Sequence, residues 1–243
     1  MEKKKSKKKY WKYLVTIAIF ALMVLAYYLI SSSEASNSYL FPAGSKIWQA
    51  FVQDKSVFGT NALHSFKLLI PSLFLAIVLS LAIGIPLGLN ETARDIMYPV
   101  LYVVSVVPAI LLSPFALMLA PTFRSASLFL IVYGCMFPTV FATITGIQTI
   151  DKRYLDRAKT LELKGWEILP AASPSIFAGL VTTMRGSFLM LVYSEMYGAK
   201  YGMGFYVRKY SEFGMYANTW SGFIFMVLVL VIVMQIFEKI KNH

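Results

Sequence analysis

LLIPSLFLAIVLSLAIGIPLGL, residues 68–89, runs for twenty-two positions without a charged side chain. At 1.5 Å of rise per residue such a run makes a helix of about 33 Å, enough to cross the ~30 Å hydrocarbon core of a bilayer. Five further runs of this kind lie on either side of it. They are Tyr13 to Ile30, Tyr98 to Ala120, Ser125 to Ile147, Ile176 to Tyr197 and Ser221 to Phe237. The expected fold is therefore all-α and transmembrane, with six spanning helices. Residues 1–12 form a basic N-terminus, and residues 13–240 form one membrane domain.

The composition agrees. The chain has 243 residues, 58% of them hydrophobic and only 14% charged, where a soluble domain carries about a quarter. A net charge of +11 would point to nucleic acid in a soluble protein, but in so apolar a chain the negative face of a membrane is the natural counterpart, so lipid and not nucleic acid is expected. Cys135 stands alone, which excludes an intrachain disulfide and a cysteine zinc cluster. His64 and His243 are too isolated to hold a metal or to form a base and relay. No metal and no cofactor is expected on this chain.

Seven lysines precede the first run, which could suggest a signal peptide. The run is long for a signal-peptide core, and Ser31, Ser32, Ser33, Glu34 and Ala35 give a weak cleavage pattern, so it is read as a retained helix. With the N-terminus inside, fifteen of the 23 Lys and Arg residues fall on the cytoplasmic side and seven outside, with Arg185 inside a span. The positive-inside rule then places both termini in the cytoplasm. Pro71, Pro86, Pro99, Pro108, Pro114 and Pro138 fall in or at the ends of spans, as expected of a packed bundle whose broken backbone faces other helices or a wet cavity. No internal repeat is evident, which argues against an inverted-repeat transporter.

The longest cytoplasmic segment, residues 148–175, contains DKRYLDRAKTLELKGWEILP at 151–170. Leu155, Ala158, Leu161 and Leu163 recur among charges at near-helical spacing, with Gly165 and Pro170 as stops. Such a short amphipathic helix can lie on the bilayer, pack under its own bundle or enter a groove on a partner. It resembles the cytoplasmic loop of ABC importer permeases, whose motif runs Glu-Ala-Ala, three residues, Gly, and further on Ile-x-Leu-Pro. Asp156, Arg157 and Ala158 fall on Glu-Ala-Ala, Glu162 on the Gly, and Leu169 and Pro170 on the closing pair. After the fifth span, SEMYGA at 194–199 and YGMGF at 201–205 look like the Ala-Glu-Met-Phe-Gly-Ala and Gly-Leu-Gly-Tyr stretch of the nitrate, sulfonate, taurine and thiamine-precursor branch. IGIPLGL at 83–89 and YLFP at 39–42 are similar to the same branch, so the likeness covers about residues 39–240. Arg157 and Glu162 depart from the small residues of the motif, and the spacing from Asp156 to Pro170 is shorter than usual.

The resemblance implies a six-helix type I importer permease in the cell membrane. Its pathway would be completed by a second permease chain, identical or related. A cytoplasmic ATP-binding subunit would dock on the segment around Asp156, Arg157, Ala158, Leu161, Glu162, Gly165, Leu169 and Pro170, and an extracytoplasmic solute-binding protein would deliver a small anionic or heterocyclic solute. ATP and Mg would sit on the partner subunit. Independently, no Gly-x-x-x-x-Gly-Lys-Ser/Thr loop occurs here to cradle phosphates.

Two charges fall in or near the fifth span. Arg185 and Glu195 are ten residues apart, about 280° beyond two full turns and ~15 Å along a helix, so they do not pair on one helix. Arg185 is the candidate to line the pathway and offset an anionic cargo, and Glu195 to cap or gate the turn of Gly202 and Gly204. Their alternatives are bonds to neighbouring carbonyls and the anchoring of a loop. Tyr193, Ser194 and Met196 are candidate cargo contacts or interfacial anchors. Glu91, Arg94 and Asp95 are expected to form a solvated face. A non-transporting membrane scaffold would bind a partner without turnover, and an intramembrane enzyme would need a cluster of nucleophile, base or metal that these scattered residues do not make.

Overall fold

The computed structural model describes residues 2–32, 39–163 and 165–241. The cleavage-like residues Ser33 to Ala35, Lys164 and His243 lie outside them, as does the side chain of Leu155. The chain runs α1 (Glu2–Ser32), α2 (Gly44–Gln53), α3 (Lys55–Leu89), α4 (Glu91–Val106), a 3-10 turn (Ala109–Leu112), α5 (Ser113–Leu119) and α6 (Phe123–Gln148). It continues with α7 (Lys152–Thr160), a second 3-10 turn (Gly165–Ile168), α8 (Leu169–Gly198), α9 (Met203–Glu212) and α10 (Tyr216–Lys241). Among the described residues every regular element is helical, and five helices are long and apolar enough to cross a membrane, or six if one bent pair counts as a span.

The bent pair corrects the third expected span. Tyr98 to Ala120 is not one helix: α4 ends at Val106 and the next piece, Ala109–Leu119, turns away by 78°. Pro108 explains the break, because it lacks an N–H and forces the preceding Val107 out of the helical region, to φ −71° and ψ 116°. Pro71, Pro86, Pro138 and Pro174 are carried inside helices without a break. The fifth span also starts earlier than expected. Pro170, expected as a stop for the amphipathic helix, instead opens α8 together with Leu169, where a proline in the first turn forfeits no intrahelical bond.

The chain forms two compact units. In the larger (residues 57–206 and 225–243), α3, α6 and α8 pack through small residues. A Cβ on Gly84 would lie 2.8 Å from Thr143 Cβ, one on Gly88 2.6 Å from Ile147 Cδ1, and one on Gly179 2.9 Å from the Cα of Thr139. In lipid, where apolar burial does not favour one helix partner over another, such close backbone approach and interhelical hydrogen bonds hold helices together. Ser80 Oγ donates to Met136 O at 2.9 Å, and the hydroxyls of Thr139 and Thr183 meet at 2.8 Å. Leu130, Ile131, Cys135, Met184, Phe188 and Leu191 fill the space between α6 and α8.

The smaller unit (residues 1–56 and 207–224) is tied by the Tyr39-Leu40-Phe41-Pro42 segment. Tyr27 Oη donates to Pro42 O at 2.7 Å, Ser31 Oγ to Phe41 O at 3.0 Å, and Trp220 Nε1 to Leu40 O at 3.0 Å. The ring of Tyr27 meets those of Phe41 and Trp220 edge to face, and Phe41 and Trp220 are tilted against each other.

Candidate translocation and coupling sites

Three regions of the larger unit carry the candidate residues, one at each end of the α3–α6–α8 bundle and one along α8. At the first end, Gly198 closes α8 and the chain turns back into α9. Three consecutive backbone N–H groups there find side-chain oxygens: Gly202 N donates to Asn61 Oδ1, Met203 N to Ser65 Oγ and Gly204 N to Glu195 Oε2, each at 2.9 Å. These groups lie at the start of α9, where N–H donors have no intrahelical partner and the helix dipole favours a negative group. That environment accounts for a carboxylate that is only 1% exposed. Gly202 is required by geometry, since its φ is +121° and a Cβ there would land in the Glu195 carboxylate.

Beside this turn a cleft of about 570 Å³ is lined by His64, Lys67, Thr122, Arg124, Glu195 and Lys200, among others. His64 stacks on Tyr201 with centroids 4.8 Å apart, and Arg124 Nη2 donates to Lys67 O at 3.3 Å. Thr122 caps α6 by a reciprocal pair of bonds with Ser125. Asn61, Ser65 and this basic rim were not among the candidates singled out in the sequence. Asn61 and Ser65 belong to α3, more than 130 residues from the turn they hold, and no local pattern announces such a pairing.

Along α8 the candidates separate. Ala178, Thr182, Arg185, Leu189 and Met196 are exposed and recur at intervals of three, four and seven residues, forming one stripe on the helix. Arg185 and Met196 share that stripe. Ser194 and Glu195 face inward, with Ser194 Oγ bonded to Leu191 O at 2.9 Å, and the half-buried Tyr193 places its hydroxyl 3.4 Å from Ser113 Oγ. The five residues therefore do not line a single surface of this chain.

At the opposite end, α7 is short and sharply terminated. Asp151 Oδ1 accepts from Arg153 N at 2.8 Å and caps its start. Leu163 N reaches back to Ala158 O at 2.9 Å, and between them Glu162 takes φ +53°. This is the Schellman ending, in which the residue after the helix must be left-handed and glycine is the ordinary occupant. Glu162 thus stands where the backbone asks for the glycine of the importer motif. Glu162→Gly is expected to stabilise the loop by about 0.5–1 kcal/mol, the relieved strain less the added chain entropy. Hydrogen exchange of the 161–163 amides should slow by about two- to five-fold, the equivalent of that energy; unchanged exchange would count against a strained cap.

Ala158 is 5% exposed, whereas Leu161 is 69% and Trp166 64% exposed, with Tyr154 and Leu163 also open and Asp156 and Arg157 on the same outer surface. Gly165 lies against Leu89 at the end of α3. The neighbouring Glu91, Arg94 and Asp95 correct the expectation of a plain solvated face. The carboxylates are open, but the Arg94 side chain is only 16% exposed and sits 3.5 Å from each. With the Gln148 amide oxygen turned toward it, Arg94 Nε donates at 2.8 Å and Nη1 at 3.2 Å. Arg94 therefore joins the α3–α4 corner to the stem of the α7 loop. Among the described residues no group of three or more His, Cys, Asp or Glu is placed to hold a metal.

Comparison with known proteins fits this architecture. A nitrate import permease protein of Leptolyngbya laminosa is 28% identical over 138 residues, covering 55% of this chain and 50% of its own length. The taurine transport system permease protein of Escherichia coli K12 is 26% identical over 147 residues, 58% of this chain and 54% of its own length. The chain thus spans about half the length of these curated relatives. A Methanocaldococcus jannaschii protein bearing an ABC transporter permease name aligns over 229 residues at 24% identity, 89% of this chain and 83% of its own. Residues 76–240, which include α6, the α7 loop, α8 and the Gly202 turn, match the model of the binding-protein-dependent transport system inner membrane component, and this multi-pass membrane chain belongs to that family.

Proposed function

We propose that this chain is the permease subunit of an ATP-binding-cassette importer, with both termini in the cytoplasm. A separate ATPase, which carries the ATP and Mg, docks on residues 148–175, and an extracytoplasmic binding protein delivers a small solute. A second permease chain completes the pathway. The observation that carries this reading is the exposed apolar set Leu161, Leu163 and Trp166, which directly follows the short, capped helix α7 in an otherwise charged loop. An apolar patch rimmed by charge suits a protein groove. The Ala158 face is already buried within the chain, so the open face is the one left for a partner. Movement of α7 would then reach the bundle through Gly165 against Leu89 and through Arg94 with Gln148, biasing two arrangements of the helices.

The exposed stripe of α8 suits the pathway wall, and Arg185 is the cation on it. Relatives named for nitrate and taurine transport support an anionic solute, which a cation in a poorly hydrated pathway would offset. The test is ATP-driven uptake by the gently solubilised complex reconstituted in vesicles. The complex is expected to contain an ATP-binding-cassette subunit, and Arg185→Gln is expected to slow uptake by about ten-fold, the ~1.4 kcal/mol effect of one lost charge contact. Purification without any ATPase would defeat the importer reading, and a normal Arg185→Gln rate would remove Arg185 from the pathway.

A further inference from the structure

Helix α2 belongs to no span, yet its apolar arc is wider than the chain covers. At 100° per residue, Ala50, Ile47, Phe51, Trp48 and Val52 follow one another around about 200° of the helix, and Ser45, Gln49, Gln53 and Lys46 fill the remainder. Only the first part of that arc packs inward: Ala50 is buried and Ile47 and Phe51 are half-buried. The other part is open, with Trp48 66% and Val52 48% exposed, one turn apart beside the polar strip. Trp48 is held in place by stacking on Phe51, with centroids 5.8 Å apart.

Both ends of this segment are pinned to the first two turns of α10. Leu40 O accepts from Trp220 Nε1 and Asp54 Oδ2 from Asn218 Nδ2, each at 3.0 Å. Two residues along a helix are about 200° of rotation and about 3 Å of rise, so Asn218 and Trp220 leave α10 on opposite sides at nearly one level. Residues 40–54 therefore run across the axis of α10 rather than along it. The bonds from Tyr27 and Ser31 to Pro42 and Phe41 set the same segment against the last turns of α1. Since α1 ends one span at Ser32 and α10 begins another at Tyr216, α2 lies in the plane where the bilayer ends. The span of α1 has no residue buried by the rest of the chain, so its surface faces lipid, and the exposed rings of Tyr28 and Tyr39 extend that surface to the level of α2. We infer that α2 is an interfacial anchor. Trp48 and Val52 enter the boundary between phospholipid headgroups and acyl chains on the face where α1 ends, and Ser45, Gln49 and Gln53 meet water. The anchor fixes the depth of the connection between the two spans. It needs only that α1 and α10 cross a bilayer, and it stands apart from the importer reading.

The full chain, purified with whatever subunits accompany it, is reconstituted in vesicles of phosphatidylcholine and phosphatidylglycerol. It carries one nitroxide label at a time, on Trp48→Cys, Val52→Cys, Gln49→Cys or Gln53→Cys. All four positions are exposed, and the wild-type chain with its buried Cys135 gives the labelling background. Collisions with oxygen, which concentrates among acyl chains, should exceed those with a water-soluble nickel chelate by about five-fold at Trp48→Cys and Val52→Cys, and the ratio should reverse at the two glutamine positions. Without any label, lipids with dibrominated acyl chains should quench a component of the tryptophan fluorescence that Trp48→Phe removes. Faster collisions with the nickel chelate at Trp48→Cys and Val52→Cys would mean a flank open to water, as a dock for a soluble protein requires. Slow collisions with both reagents would mean a flank covered by protein, such as a second copy of this chain. Either result overturns the lipid anchor, as does bromolipid quenching that Trp48→Phe leaves unaltered.

Discussion

Leu161→Asp is expected to abolish substrate-stimulated ATP hydrolysis by the proposed complex of this chain with an ATPase, while the amount of membrane-inserted chain stays at the wild-type level. Leu161 follows the last turn of α7, with most of its side chain open. A carboxylate there is hydrated in the free chain and costs its own fold little. Docking of a partner on the apolar patch would strip that hydration from a charge with no cation prepared for it, a penalty of several kcal/mol. Each 1.4 kcal/mol is ten-fold in affinity, so occupancy of the dock falls by about a hundred-fold or more. Ala158→Asp, within α7 itself, is a weaker test, because Ala158 is buried within the chain and its loss of coupling would follow from a disordered loop. The measurement is ATPase rate against added substrate in reconstituted complex, beside quantitation of inserted protein. Full stimulation by the Leu161→Asp complex would show that the partner docks elsewhere.

Much of the architecture was legible because a membrane span is a local property. Residues 68–89 declare themselves by length and lack of charge, and five of the six expected runs correspond to single helices. The sixth is broken at Pro108 into two pieces bent by 78°, where proline chemistry outweighs continuous hydropathy. The start of α8 was misplaced for a related reason. Proline both ends and begins helices, and only its position relative to Leu169 shows that it begins one. Glu162 was aligned with a motif glycine by resemblance, and the backbone at that position supplies the physical reason for a glycine. The candidates on α8 were grouped by closeness in sequence, whereas exposure divides them by the helical period: Arg185 and Met196 on one face, Ser194 and Glu195 on the other. Asn61, Ser65 and the basic cleft could not be read at all, since they act on residues brought near only by packing of α3 against α8 and α9.

Gly202→Ala is expected to lower the melting temperature of the detergent-purified chain by about 6–12 °C, the shift of a destabilisation near 3 kcal/mol. Two costs combine. The φ of +121° lies where only glycine rests without strain. The new Cβ would also land in the Glu195 carboxylate, which cannot yield freely because Oε2 is held by Gly204 N and the side chain is enclosed. Moving Glu195 aside would leave the Gly204 N–H buried and unpaired, adding the desolvation cost of one donor. A cycle separates the terms. Glu195→Ala alone loses the carboxylate bond to Gly204, and Gly202→Ala in that background no longer meets the carboxylate and pays only the backbone strain. The double variant should therefore be more stable than the sum of the single effects, with a coupling of about 1 kcal/mol or more, because residues in direct contact fail additivity. Strictly additive losses would mean that the glycine serves the backbone alone, and that Glu195 places no steric demand on the turn between α8 and α9.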